Sequence, residues 1–134
     1  MPAPTGFYSE GRALATTVAL AGGTVSDAVA FPLWASRADL AVVQLEVVWG
    51  ADGVAADEVT MAAYAVVNGE ADTVKWASTE TTPLAGGNAA TRRISMVLSG
   101  IPAANIVVAN AGSHGVMFSV TADLRLDRAP VRGD

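Results

Sequence analysis

The stretch Val116-Met117-Phe118-Ser119-Val120-Thr121-Ala122-Asp123-Leu124-Arg125-Leu126 decides the fold class. Val116, Phe118, Val120, Ala122, Leu124 and Leu126 fall on one parity, and Ser119, Thr121, Asp123, Arg125 and the following Asp127 on the other. Successive side chains of a β-strand point to opposite faces, so a strand with one face on a core reads this way. A helical face repeats about every 3.6 residues and does not. The same alternation governs Leu40 to Trp49, where Val43, Leu45, Val47 and Trp49 share a face and Gln44 and Glu46 lie opposite. It recurs where Ile94, Met96 and Leu98 alternate with Arg93, Ser95 and Val97.

Shorter runs fill the rest of the chain. From Arg12 to Ala21, Leu14, Val18 and Leu20 share a face, and Gly22-Gly23 is a turn. Val25, Asp27, Val29 and Phe31 lie on one side of the next run, which Pro32 ends. Gly50-Ala51-Asp52-Gly53 breaks the long strand before it. Val59 to Val67 precedes Asn68-Gly69, the dipeptide that best suits a two-residue hairpin because both residues tolerate positive φ. Thr73-Val74-Lys75-Trp76 is the expected return strand, and residues 81–88 read as a loop. Residues 103–110 fit either a short helix or a strand around Ile106-Val107-Val108, and Gly112-Ser113-His114-Gly115 is a turn. Seven or eight strands between Gly, Pro and Asn turns predict an all-β chain, an antiparallel β-sandwich or jelly roll. The expected organisation is an extended N-terminal arm over residues 1–11, the sandwich over 12–128 and a C-terminal tail over 129–134.

Composition narrows the function by exclusion. The 134 residues make one domain. With 51% hydrophobic and 16% charged residues the chain is too apolar to be disordered. The absence of Cys removes disulfide, thiolate, zinc-ribbon and iron–sulfur chemistry. A single His, His114, leaves no multi-His metal site in one copy. A net charge of −5 and a pI near 4.6 argue against a nucleic-acid partner. Ala, Val and Gly dominate, and Arg far outnumbers Lys, as GC-rich coding produces; Lys75 is the only Lys. Ala favours helices, but the period of two outweighs that propensity. No stretch approaches the roughly 20 apolar residues of a membrane span, so no membrane is expected. Residues 12–21, ending Ala19-Leu20-Ala21, mimic a signal peptide; Glu10 in place of a basic flank and the interrupting Thr16 and Thr17 argue against one.

Candidate chemistry is sparse. Ser113 beside His114 invokes a serine hydrolase, but adjacent turn residues do not give triad geometry and no Gly-x-Ser-x-Gly elbow occurs; a polar hairpin turn is the expected role. Asp57-Glu58 would point to opposite strand faces, and with Asp52 reads as a solvated acidic loop without Ca²⁺-loop spacing. Glu46 and Asp123, on outward strand faces, are carboxylates that nothing in the sequence brings together. Neither Gly22-Gly23 nor Gly86-Gly87 has the flanks of a phosphate cradle. No catalytic, cofactor-binding or metal-ligating residue is therefore expected. Trp49 and Trp76 are expected in the core, because the chain has few other large residues, whereas Trp34 in a turn suits the surface as well as the core. Charge is uneven: between residues 50 and 80 Asp52, Asp57, Glu58, Glu70, Asp72 and Glu80 stand against only Lys75, while from residue 88 onward Arg92, Arg93, Arg125, Arg128 and Arg132 stand against Asp123, Asp127 and Asp134. A solvated surface accounts for that, but it also suits contact with an acidic partner or another copy.

The Pro-bearing start Met1 to Gly6, the Gly- and Thr-rich loops and the final strand Val116 to Leu126 resemble tailed-bacteriophage virion accessory proteins, capsid decoration (cement) proteins first and head- or tail-fibre modules second. The resemblance implies a non-enzymatic structural protein that binds a major capsid or other virion protein and its own copies, with trimers common in such families. It implies a virion location after assembly in the host cytoplasm. Phe7, Tyr8, Trp34, Arg92, Arg93, Arg128 and Arg132 are the expected interface residues. A glycan-binding module of a fibre is the alternative, which exposure of Trp34 and Trp76 would favour.

Overall fold

The computed structural model describes residues 8–50, 52, 54, 56–83 and 90–126. Among these lie ten strands and no helix: β1 Tyr8–Leu20, β2 Thr24–Val25, β3 Val29–Phe31, β4 Ala38–Trp49, β5 Val59–Val67, β6 Glu70–Ala71, β7 Ala77–Thr81, β8 Ala90–Ser99, β9 Ala103–Asn110 and β10 Val116–Leu126. All pairings are antiparallel. One sheet runs β1-β10-β4-β8. In the other, β9 and β5 are central, β2 and β3 share the free side of β9, and β6 and β7 share the free side of β5. Each of these short pairs is one interrupted strand, so the topology is that of eight strands. The chain passes from sheet to sheet at β1–β2, β3–β4, β4–β5, β7–β8, β8–β9 and β9–β10, and the first strand lies beside the last. This is a jelly roll.

The alternating faces build the core. β4 contributes Val43, Leu45, Val47 and Trp49, and β10 contributes Val116, Phe118, Val120, Ala122 and Leu124. From the other sheet come Val59, Met61, Ala63 and Ala65 on β5, and Ala104, Ile106 and Val108 on β9. Fully burying a Val, Leu or Phe side chain is worth about 1.5–3 kcal/mol, so these four strands carry most of the hydrophobic stabilisation. Residues 103–110 are a strand because their alternation, buried at 104, 106, 108 and 110, fits between β5 and β2/β3.

Three local expectations need correction. β1 starts at Tyr8, ahead of the start expected at residue 12, and pairs with β10 from Tyr8↔Leu126 onward. Its register slips twice, between Ala13 and Ala15 and between Ala15 and Val18. The first bulge lets both Leu14 and Ala15 pack against the core. The second puts Thr17 at φ 47, with its N–H donating to Ser119 Oγ at 2.9 Å. The return from the Asn68-Gly69 turn, whose φ values are 54 and 81, is not a strand over residues 73–76. It pairs at Ala71 with Val66 and again at Ala77 with Ala63, six steps against three. The extra residues loop out at Asp72, whose Oδ1 accepts the Val74 N–H at 3.2 Å. Finally, Thr81, expected to open a loop, is the last residue of β7, Ala77–Thr81.

Arginines on the two edge strands of the first sheet face the gap between the sheets. Arg12 pairs across from buried Ala122 and donates to Ser36 Oγ at 2.8 Å, and Arg92 pairs across from buried Val47 and donates to the Thr82 carbonyl at 3.2 Å. Inward-facing charge on an edge strand discourages pairing with another chain.

Candidate functional site

Three loops meet at one end of the sandwich: residues 21–23 after β1, residues 54 and 56–58 before β5, and 111–115 after β9. Asp57 lies between them with no exposed surface. Its Oδ2 accepts the Val54 N–H at 2.9 Å and lies 2.8 Å from His114 Nδ1, and its Oδ1 accepts the Ser113 N–H at 2.9 Å. Beside it, Asn110 is also buried; its Nδ2 donates to the carbonyls of Leu20 and His114, and its Oδ1 accepts the Gly112 N–H. The Ala111 N–H to Glu58 carbonyl bond, at 2.9 Å, and the Gly23 N–H to Asn110 carbonyl bond, at 2.9 Å, complete the tie.

Two glycines allow this closeness. A Cβ on Gly112 would stand 2.5 Å from Asp57 Oδ1 and 2.7 Å from Asp57 Cα, and one on Gly22 would stand 2.6 Å from the Ser113 carbonyl carbon. The Val54 N–H bond, followed by those from Ser113 and His114, holds the Asp57 carboxyl below its ordinary 3.8, against the opposing effect of burial. The hydrogen bond to Asp57 and that carboxylate's charge, with a lesser push from Asp52, hold the His114 imidazole above its ordinary 6.5, again against burial.

A carboxylate on imidazole Nδ1 is half of a hydrolytic triad. Ser113 gives Asp57 its backbone N–H, and among the described residues no hydroxyl bonds the other ring nitrogen. The constellation is a clamp on three loops. Asp57 is therefore not part of a solvated acidic loop, and His114 is more than a polar turn residue. The two are 57 positions apart in the chain, and only the topology brings them together.

Next to the clamp, an apolar groove of about 460 Å³ runs over Leu20, Trp49 and Val116, walled by Ala19, Val48 and Met117. Val48 and Met117, paired across the sheet, are both exposed, as is Val18.

Trp49 is in the core as expected, but Trp76 is not: it is 52% exposed where the return strand loops out. Trp34 is 61% exposed in the turn between β3 and β4. Arg93 bonds Glu46 at 2.8 Å, so it and Arg92 both have partners within the chain. Glu46 pairs in register with Ser119 and Asp123 with Val42, so those two carboxylates do not converge. Phe7, Arg128 and Arg132, like the side chain of Tyr8, lie outside the described residues. No group of His, Asp and Glu suited to a metal occurs among the described residues.

No family model matches the chain, and no curated protein does. Solved structures share its fold. The infectious bursal disease virus VP2 subviral particle is 10% identical over 90% of this chain and 32% of its own, with a TM-score of 0.50. The CBM22-1 and GH10 modules of Clostridium thermocellum endo-1,4-β-D-xylanase 10B, complexed with xylohexaose, are 10% identical over 96% of this chain and 28% of theirs, with a TM-score of 0.52. The PRD1 vertex protein P5 is 10% identical over 90% of this chain and 96% of its own, with a TM-score of 0.47. A viral particle protein and a xylanase carrying a CBM22-1 module thus both share this jelly roll, and the likeness is one of fold.

Proposed function

We propose that the chain is a non-enzymatic structural protein of a phage particle, a decoration protein that binds the capsid surface and its own copies. The observation that carries this reading is the groove over Trp49: an apolar hollow on the surface, walled by Val48 and Met117, beside loops that the Asp57–His114 clamp fixes in place. Such a hollow can receive an apolar side chain of a partner, and burying the two together favours association. Binding of many copies would stabilise the shell by mass action. The fold shared with a viral particle protein supports the same reading. The test is sedimentation of the purified chain with particles of the phage whose genome carries its gene, for the wild type and for Val48→Asp/Met117→Asp. Co-sedimentation lost in the double variant supports the proposal; a wild-type chain that stays in the supernatant rejects it.

A glycan-binding role is the second reading. Exposed Trp34 and Trp76 favour it, because exposed indole faces stack on sugar rings. They sit toward opposite edges of the second sheet, near β3 and β7 respectively. Binding to a panel of oligosaccharides that Trp76→Ala abolishes would support this role over the first; binding to none would remove it.

A further inference from the structure

The two sheets differ in what they show to solvent. Register and burial place the charged Glu46, Arg93, Asp123 and Arg125, together with the exposed apolar Val48, Val97 and Met117, on the outer face of the β1-β10-β4-β8 sheet. On the outer face of the other sheet they place Val25, Ala30, Tyr64, Val66, Val107 and Ala109, with further alanines at 62, 71 and 103. Thr60, Ser78 and Asn105 are the uncharged polar members there, and the charged groups among the described residues lie at its margins: Glu80 on the edge strand β7, and Glu58, which continues the same parity just before β5.

We propose that this face is where two copies of the chain associate, sheet against sheet. The inference rests on the reading that the chain binds its own copies, and it names the surface. Each chain carries a net charge of −5, so two copies repel unless they meet where charge is scarce. The second sheet's outer face meets that condition, and the first sheet's face, with four charges, would bury them. Its alanines leave a low surface, so a second sheet can approach to the usual ~10 Å spacing of stacked sheets. Its extent is sufficient. The eight residues of β9 run about 27 Å and four strands span about 19 Å, a footprint of about 500 Å². Two copies then bury about 1,000 Å², the lower bound for a specific interface. Like faces packed on each other form an isologous contact that closes with two copies, so the expected assembly is a dimer rather than the trimer implied by the resemblance.

The test is the mass of the full chain in solution by light scattering and sedimentation equilibrium. The wild type is expected at twice the 13.6 kDa chain mass. Val107→Glu, in the middle of the face, and Val25→Glu, 63% exposed at its edge, are expected to run as folded monomers. Val97→Glu, 53% exposed on the other sheet, is expected to stay dimeric. Val25→Glu reads the face even if Val107→Glu does not fold. A monomeric wild type, or a dimer untouched by either change, overturns the inference. A monomer that binds oligosaccharide through Tyr64 also overturns it, by making the face a sugar platform. A monomeric wild type that still sediments with particles refutes this dimer and leaves the capsid reading standing; a dimer that does not sediment does the reverse.

Discussion

His114 Nδ1 lies 2.8 Å from the Oδ2 of Asp57, a carboxylate with no exposed surface, and this contact closes one end of the jelly roll. Asp57→Ala removes the acceptor of the Val54 and Ser113 N–H groups as well as the partner of His114. Hydrogen bonds to a charged group are worth about 1.5–3 kcal/mol each and these are only part-buried, so a loss of about 2–4 kcal/mol is expected in urea unfolding. A change within about 0.5 kcal/mol, the range of an ordinary surface substitution, would remove the clamp from the account.

The pair also sets a pH window. The folded state raises the His114 pKa, so that contribution is complete below 6.5 and fades as pH rises through the raised value. It lowers the Asp57 pKa, so that contribution is complete above 3.8 and fades as pH falls through the lowered value. Stability should be greatest between about pH 4 and about 6.5. The alkaline decline should be gentle, since neutral imidazole still donates from Nδ1, and should disappear in His114→Gln. Thermal melts from pH 3 to 9 check this, and an alkaline limb identical in both proteins would count against it.

Glycine substitutions separate crowding from backbone conformation. Gly112→Ala and Gly22→Ala drive a Cβ into backbone and a buried carboxylate, and each is expected to cost about 3 kcal/mol or more. Gly23→Ala meets nothing within 4 Å and carries only the cost of φ +73, about 1 kcal/mol. Equal melting temperatures for Gly112→Ala and Gly23→Ala would contradict the packing described.

The three tryptophans should report three environments. Trp49→Phe opens space in the core and is expected to destabilise by about 1–3 kcal/mol, whereas Trp34→Phe and Trp76→Phe should be near neutral. Quenching by acrylamide should be strong for Trp34 and Trp76 and weak for Trp49, measured in double variants that keep one indole each.

What the sequence makes legible follows from what is local. β4 and β10 are readable because they are central strands with one face on the core, so their alternation runs regularly from Ala41 to Trp49 and from Val116 to Leu124. The Asn68-Gly69 turn is readable because two residues carry the whole signal. The return strand is not, because a loop of extra residues at Asp72 shifts its phase and turns Trp76 from the core to solvent. The bulges of β1 hide its register in the same way. Asp57 reads as one more loop carboxylate, since nothing near it in the chain announces His114. A polar residue beside a turn rich in Gly, here Gly112 to Gly115, is the one local hint that another backbone comes close there.

The proposed capsid role is tested by sedimenting the chain with particles of the phage proposed to carry its gene. Saturable co-sedimentation is expected, abolished in Val48→Asp/Met117→Asp while its melting temperature holds. A folded wild-type chain that never leaves the supernatant, or a double variant that binds as well as the wild type, would contradict it.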